Sequence, residues 1–284
     1  MSFLDRVDEC RVFDDSAYRP FRVDGAEVGL VDDALAGLLA DYAEVFRVGE
    51  GEIGFAAGLK TSSARSRAIA AVLDDLRGRG EITGWRDEPF PVAASHAAPI
   101  LFTMERAAVP RFGVRAYGVH VNGIVRDGES LRMWIARRSP NKQTEPGKLD
   151  QIVAGGQPAG LGLRENLVKE CAEEASIPAE IARRAVAVSA VSYCTERAEG
   201  LRRDVVFCYD LELPPDFVPE NTDREVAGFD LWPIERVIEA VRDTDAFKFN
   251  CSLVIIDFLI RHGFIEPDHP DYVALVTGLR GLQA

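Results

Sequence analysis

The chain has 284 residues and a formal net charge of -13, with 47% hydrophobic and 28% charged residues. A surface this acidic repels nucleic-acid phosphates and anionic lipid, so we exclude nucleic acid and membranes as partners. The five cysteines form no CxxC pair, which argues against a disulfide framework or structural zinc site. With no signal peptide and no apolar run near 20 residues, we expect a cytoplasmic protein.

Residues 1 to about 108 show the pattern of a small α+β domain. Residues 26–31 are predicted to form a strand, followed by a helix over 34–46 that Asp32 or Asp33 would cap. A second helix is predicted over 62–80, with four apolar residues on its inner face. The proline-punctuated segment 85–100 reads as an irregular connector.

From about residue 109 the pattern alternates between strands and helices. Two strands joined by a turn are predicted over 113–125 and 130–139, and two further strands over 186–194 and 203–213. A strand then enters a helix over 229–243, and two more helices follow over 251–264 and 271–281. This order predicts an α/β layer structure, with residues 1–108 and 109–284 as separate domains.

Residues 154–178 carry the strongest chemical signal. Gly155 and Gly156 follow a short apolar strand and come shortly before a predicted helix. Glycines allow a phosphate group to approach main-chain N–H groups. The segment therefore indicates a phosphate-binding loop that leads into a helix.

Three glutamates of that helix, Glu170, Glu173 and Glu174, are spaced i, i+3 and i+4. This spacing places their carboxylates on one arc of the helix surface. Such a cluster is either a solvated acidic face or a site for a divalent cation such as Mg²⁺, which prefers carboxylate oxygens. The neighbouring glycine loop favours the cation, because the combination suits cleavage of a phosphoanhydride.

The segment resembles the Nudix box, G-x5-E-x7-R-E-U-x-E-E-x-G-U, in which U is aliphatic. Gly155 matches the first glycine, Glu170 follows the arginine position, and Glu173 and Glu174 form the acidic pair. Three positions depart from the motif: Leu161, Lys169 and Ser176. In the family the missing Glu and Arg usually pair to brace the loop, so we expect a less rigid loop with the metal-binding glutamates retained.

The resemblance extends over residues 133–160 and 247–263, which look like the Nudix subfamily related to fungal thiamine pyrophosphokinases. That subfamily has an additional N-terminal domain. The resemblance implies an α/β/α Nudix sandwich with a mixed sheet, and hydrolysis of a small-molecule diphosphate with Mg²⁺, or Mn²⁺, as cofactor. It points to thiamine-diphosphate-like compounds, notably oxidised forms, cleaved to monophosphates.

By the same resemblance, Glu170 and Glu174 are metal ligands, and Glu173 is a third ligand or the group that orients the attacking water. Many Nudix enzymes recruit one further glutamate from a later loop, and Glu225 is the candidate here. The alternative for Glu225 is a solvated loop carboxylate. The predicted catalytic residues are thus Glu173, Glu174 and Glu225.

A diphosphate also needs positive charge near the loop. Several basic residues precede the box and, with the loop itself, form the predicted substrate-binding set: Arg137, Lys142, Lys148, Gln151, Gly155 and Gly156. Two alternative functions stay open, a pyrophosphatase for ADP-ribose or other dinucleotides and a Nudix-fold sensor without turnover. The sequence also leaves open whether the chain forms a homo-oligomer.

Overall fold

The computed structural model describes residues 1–128, 130–142, 144–222 and 225–281. The helices are α1 (Phe3–Glu9), α2 (Asp33–Leu39), α3 (Ser62–Gly78), α4 (Leu163–Ala175), α5 (Ala179–Ala182), α6 (Ile234–Asp243), α7 (Phe249–Arg261) and α8 (Tyr272–Gly278). The strands are β1 (Tyr18–Val23), β2 (Ala26–Asp32), β3 (Phe46–Val48), β4 (Ile53–Phe55), β5 (Pro89–Val92), β6 (Phe102–Glu105), β7 (Arg115–Asp127), β8 (Ser130–Arg138), β9 (Leu149–Gln151), β10 (Val153–Gly156), β11 (Val186–Arg197), β12 (Gly200–Glu212) and β13 (Val226–Pro233).

The N-terminal part is built on a four-stranded sheet with the order β2-β1-β4-β3. Helix α3 packs against β6, and β6 pairs with β5 in a two-stranded sheet. Aromatic side chains fill the centre: the ring of Phe21 lies 5.9 Å from Phe102 and 5.9 Å from Phe112, measured between centroids. Edge-on and tilted ring pairs of this kind add to the stabilisation from apolar burial.

The C-terminal part contains a seven-stranded mixed sheet. Its main order is β11-β12-β7-β8-β13, and β10 and β9 pair with β7 and β8. Strands β12 and β7 are parallel, whereas the other pairs are antiparallel. The long strand β7 therefore contacts β12 on one side, and β10 and then β8 on the other.

Alternation along β7 gives the two faces of this sheet different partners. Val119 and Val121 belong to a buried cluster with Leu167 and Cys171 of α4. Ile124 belongs to a second buried cluster that includes most of α7. Because successive strand residues point to opposite faces, the sheet lies between α4 and the α6–α8 layer. The predicted α/β/α sandwich with a mixed sheet is confirmed.

Two features bear on the predicted division at residue 108. Helix α1 packs against α6, α7 and α8, with Phe3 and Val7 inside the C-terminal core. The buried cluster of the N-terminal part continues past residue 108 to Phe112 and Val114. We therefore keep the two-part organisation as a proposal, with the first part beginning after α1.

Most predicted elements match the observed ones, and two differ. The predicted helix over 34–46 ends at Leu39, and Phe46 starts β3, where its ring is buried among other aromatic residues. The predicted connector 85–100 contains β5, in which Phe90 and Val92 are buried. In both segments tertiary burial of aromatic side chains overrides the local signal. None of the described helices has the length and apolarity that crossing a membrane requires.

Candidate active site

Helix α4 is held at both ends by polar contacts. At its start the Glu165 carboxylate accepts a hydrogen bond of 2.9 Å from the Gly162 backbone N–H. At its end Ser176 takes a left-handed conformation with φ of 52°, which explains why the family motif has glycine there. The Ser176 hydroxyl donates to the Glu220 carbonyl at 2.8 Å. The serine therefore preserves the helix end that the motif glycine would form.

Two of the predicted ligands, Glu170 and Glu174, lie against the glycine strand β10. Glu174 is only 8% exposed, and its carboxylate accepts a hydrogen bond of 2.8 Å from the Ala154 N–H. A Cβ atom on Gly155 would stand 2.5 Å from Oε2 of Glu170. Glycine is therefore needed at position 155 so that the Glu170 carboxylate can approach the strand.

Burial shapes the electrostatics of this pair. It raises the pKa of Glu174 well above its ordinary value, against the hydrogen bond from Ala154, and the nearby Glu170 charge raises it further. Burial likewise raises the pKa of Glu170. Two desolvated carboxylates that repel each other are unfavourable as charged groups unless a cation offsets them. Their oxygen donors fit a hard divalent cation such as Mg²⁺ or Mn²⁺.

Glu173 is placed differently from the other two glutamates. Its side chain is 50% exposed, and its carboxylate lies 2.7 Å from the Nζ atom of Lys169. Lys169 also contacts Glu170 at 3.2 Å. The lysine at the motif's arginine position thus neutralises part of the acidic cluster. The structure brings Glu170 and Glu174 together at the strand and leaves Glu173 on the solvent side.

The glycine loop is braced without the family's Glu–Arg pair. The fully buried Asn166 donates from Nδ2 to the Gly156 carbonyl at 2.9 Å. Gln157 donates from Nε2 to the Leu161 carbonyl at 2.6 Å. Two amide side chains thus contact the loop where the departures at Leu161 and Lys169 remove the family's Glu–Arg pair, and the expectation of a less rigid loop stays a prediction.

Glu225 lies in an ion pair with Lys142 at the same edge. Although burial raises the pKa of Glu225, the hydrogen bond and charge of Lys142, together with Arg86 and Arg106, lower it below its ordinary value. Lys142 also acts on Glu174 through its charge. Glu225 is thus an ionised carboxylate that shares the neighbour Lys142 with Glu174.

A cavity of about 230 Å³ lies between the two parts of the chain and reaches Gly155 and Gly156. Four cationic residues line it: Arg86, Arg106, Arg202 and Lys248. Arg202 is compensated, because it lies 2.6 Å from Asp204 and 3.4 Å from Glu199. Arg106 is paired with Glu88 in the same way, so among the described residues the positive charge on this wall that no ion pair offsets comes from Arg86 and Lys248.

Arg106 contacts the glycine loop directly. A Cβ atom on Gly156 would stand 2.8 Å from its guanidinium carbon, and its charge reaches Glu170. The same guanidinium is held by Glu88 at 2.7 Å. Arg86 is exposed as a residue, but poor solvation of its guanidinium beside Arg106 lowers its pKa. A cation in these surroundings favours an anionic partner.

The predicted basic residues contribute less to this cavity than expected. Arg137 is exposed and donates to the Gly147 carbonyl at 3.3 Å, and Lys148 lies 3.1 Å from Asp245. Neither residue lines the cavity. Both were assigned from their nearness in sequence to the box, but each contacts a surface loop instead. Lys142 reaches the catalytic edge through Glu225.

Gln151 lies behind the cavity, although we predicted it to bind substrate. It is 2% exposed, its Oε1 contacts Nδ1 of His120 at 2.6 Å, and its Nε2 donates to the Cys251 carbonyl at 2.9 Å. Its polar atoms are thus used inside the protein. Its partner His120, to which the sequence pattern gave no role, is among the residues that line the cavity.

His120, Asp150 and Cys251 offer ligand atoms within 4.8 Å of one another, all of them buried. Asp150 already pairs with Arg138 at 2.8 Å and accepts from Cys251 at 2.7 Å. The positive charge of Lys248 acts on the same group. Two neighbouring cations and a satisfied hydrogen-bond network suit a polar core better than a metal site.

Sequence relatives decide the family. Nudix hydrolase 24, chloroplastic, of Arabidopsis thaliana is 46% identical over 283 residues, which cover 98% of this chain and 77% of the relative. Nudix hydrolase 20, chloroplastic, of the same plant is 44% identical over 290 residues with the same coverage. This chain belongs to the Nudix hydrolase family. As such it is a pyrophosphohydrolase that acts on a diphosphate linkage, and the prediction of an enzyme is confirmed.

Two further likenesses accompany this assignment. A family model described as "Domain of unknown function (DUF4743)" matches residues 2–116. The Nudix domain of NrtR from Shewanella oneidensis, solved with ADP ribose, is 15% identical, covers 54% of this chain and 91% of its own, and gives a TM-score of 0.43. The assignment to the family rests on the plant relatives.

The predicted cytoplasmic location is wrong by the same comparison. Both plant relatives carry the word chloroplastic in their names. Cysteine usage, on which the prediction relies in part, indicates a reducing compartment without distinguishing one such compartment from another.

Proposed function

We propose that this Nudix hydrolase cleaves the diphosphate of a small thiamine-diphosphate-like compound, with Mg²⁺, or Mn²⁺ in its place, held by Glu170 and Glu174. One observation carries the proposal: two desolvated carboxylates contact Ala154 and Gly155, and these two strand residues also line a cavity with arginine and lysine in its wall. The carboxylates suit a divalent cation, and the arginines and lysine suit phosphate oxygens.

Each residue has a distinct part in this proposal. When bound, the divalent cation supplies charge neutralisation and lowers the pKa of water. Gly155 and Gly156, which have no side chains, allow the Glu170 carboxylate and the Arg106 guanidinium to lie against the strand. In this proposal Glu225, kept ionised by Lys142, orients the attacking water and accepts its proton. Glu173, on the solvent side, is an additional ligand once Lys169 moves away.

The N-terminal part helps to form the site in this proposal. Arg86 and Arg106 come from the segment before residue 108, yet both line the cavity beside the glycine loop. Phe90 from β5 closes another part of the wall. Ligand sites often lie between two structural units. Here the N-terminal part supplies two arginines that can bind the phosphate oxygens.

The charge of the cavity also bears on which diphosphate it accepts. Thiamine has a cationic thiazolium ring, whereas its oxidised analogues are neutral at that ring. Arg86 and Lys248 repel a cation, and we expect this repulsion to outweigh any attraction from the aromatic rings of Phe90 and Tyr117, which also line the cavity. We therefore propose the oxidised, neutral compounds as the preferred substrates, cleaved to their monophosphates.

A hydrolysis panel tests this proposal. The purified protein with Mg²⁺ is assayed against thiamine diphosphate, its oxidised analogues and ADP-ribose, with the products resolved by chromatography and Glu174→Gln as the inactive control. We expect the highest kcat/KM on an oxidised analogue. Equal values for the oxidised and cationic compounds would remove the proposed discrimination. Turnover of ADP-ribose alone would identify a dinucleotide pyrophosphatase, and binding without turnover would identify a sensor.

A further inference from the structure

The imidazole of His120 has a defined protonation state and a defined orientation. Gln151 donates from Nε2 to the Cys251 carbonyl, which has no proton to give, so the Gln151 Oε1 must face His120. That oxygen accepts a hydrogen bond, so Nδ1 of His120 carries the proton. The other ring nitrogen, Nε2, is then an unprotonated acceptor.

The surroundings keep this ring neutral. Burial lowers the pKa of His120 to about 4, and the charge of Lys248 also lowers it, against the opposing charge of Asp150. The charge of Arg138 also lowers the pKa of His120, by less than that of Lys248. At neutral pH the imidazole therefore adds an uncharged acceptor to a cavity wall that is otherwise rich in cationic donors.

His120 is part of the cavity wall, and its Nδ1 edge is turned to Gln151, so we infer that the opposite edge, with Nε2, faces the cavity. His120 lines the cavity, whereas Gln151, its partner at Nδ1, does not. Within the described part of the chain, no hydrogen bond reaches Nε2. His120 pairs in register with Ala154, the residue before the glycine pair, whose N–H binds Glu174. The acceptor thus lies one residue along the strand pair from the glycine loop.

We propose that Nε2 of His120 determines specificity by accepting a hydrogen bond from an N–H or O–H group on the organic part of the diphosphate substrate. This inference rests on the proposed function, because the proposed function assigns the cationic residues of the cavity wall to the diphosphate group. Phosphate oxygens at neutral pH are acceptors and satisfy the arginines and Lys248. They offer nothing to a neutral imidazole acceptor, so its partner must come from the rest of the substrate.

Two near-isosteric variants separate recognition from support of the fold. In His120→Asn the side-chain amide reaches the position of Nδ1, so it keeps the bond to Gln151 and deletes the acceptor. In His120→Gln the amide reaches the position of Nε2, so it keeps an acceptor and gives up the bond to Gln151. Both are compared with the natural chain on two probes, the best organic diphosphate of the panel and methyl diphosphate, which has no donor.

We expect His120→Asn to lower kcat/KM roughly tenfold or more on the organic diphosphate, by raising KM, and to leave methyl diphosphate within about twofold. His120→Gln should keep most of the preference. An equal loss on both probes, or none on either, would overturn the inference. If no diphosphate is hydrolysed, the proposed function fails. In that case the binding of the two probes, measured by calorimetry, still tests the role of His120. His120→Asn must weaken the binding of the organic diphosphate and leave that of methyl diphosphate unchanged.

Discussion

Gly155 and Glu170 are in such close contact that a methyl group on the glycine would overlap the glutamate carboxylate. Gly155→Ala should displace that carboxylate and lower kcat, by about 100-fold for a shift near 1 Å. Gly37→Ala is the matched control, because this exposed helix position has open space around it. Steady-state kinetics and thermal melts on both variants check the prediction. Wild-type kcat in Gly155→Ala would show that Glu170 is not a ligand.

Glu174 and Glu173 are adjacent in sequence but differ in burial, which allows a matched comparison. Glu174→Gln keeps an oxygen for the Ala154 N–H and removes the charge, so kcat should fall by more than about 100-fold with the fold intact. Glu173→Gln changes a half-exposed side chain and should lower kcat by a smaller factor. If both variants lose the same activity, the two carboxylates act as one unit and the structural distinction has no functional meaning.

Divalent cations should stabilise the folded chain by binding to Glu170 and Glu174. A cation that binds only the folded state adds about 2.7 kcal/mol at a concentration of 100 Kd. Thermal melts of the natural chain with increasing Mg²⁺ should therefore shift upward, and those of Glu174→Gln should shift much less. Glu180→Gln, on the short helix α5, is a control that should respond like the natural chain. Identical shifts in all three proteins would place the cation elsewhere.

Arg86 and Arg106 should supply binding energy for the diphosphate. Replacing either with alanine removes a charge-assisted contact and should raise KM roughly tenfold or more. Arg67→Ala, on the exposed face of α3, is the control. These point variants are better tests than a truncation near residue 109, which would remove α1 and cut the core that extends to Val114. Unchanged KM in both variants would show that the N-terminal part does not bind the substrate.

The parts of this site that the sequence predicted are those whose members lie close together along the chain. Gly155, Glu170 and Glu174 are brought together by one loop and one helix, whose period is fixed by the backbone. Arg86 and Arg106 reach the same loop only through packing between the two parts. Arg86 lies in the segment 85–100, which reads as an irregular connector, and Arg106 follows that segment, so the local pattern contained no signal for either residue.

Gln151 and His120 illustrate a second limit. The two residues lie on β9 and β7, and which of them reaches the cavity depends on strand register and on the α7 layer behind. Register is a tertiary property, and a one-residue shift reverses the face on which a side chain lies. The sequence placed Gln151 near the glycine loop correctly, but it could not show that its polar groups turn inward.

The neutral state of His120 predicts a pH dependence of stability. An unfolded chain binds a proton on histidine below about pH 6.5, whereas the buried ring resists protonation until about pH 4. The unfolded state therefore binds more protons in this window, so stability falls as the pH is lowered through it, by up to about 3 kcal/mol. Denaturant unfolding at pH 7 and pH 4.5 should show a smaller loss in His120→Asn than in the natural chain. Equal losses would mean that the ring is protonated in the folded protein, which would also remove the unprotonated acceptor.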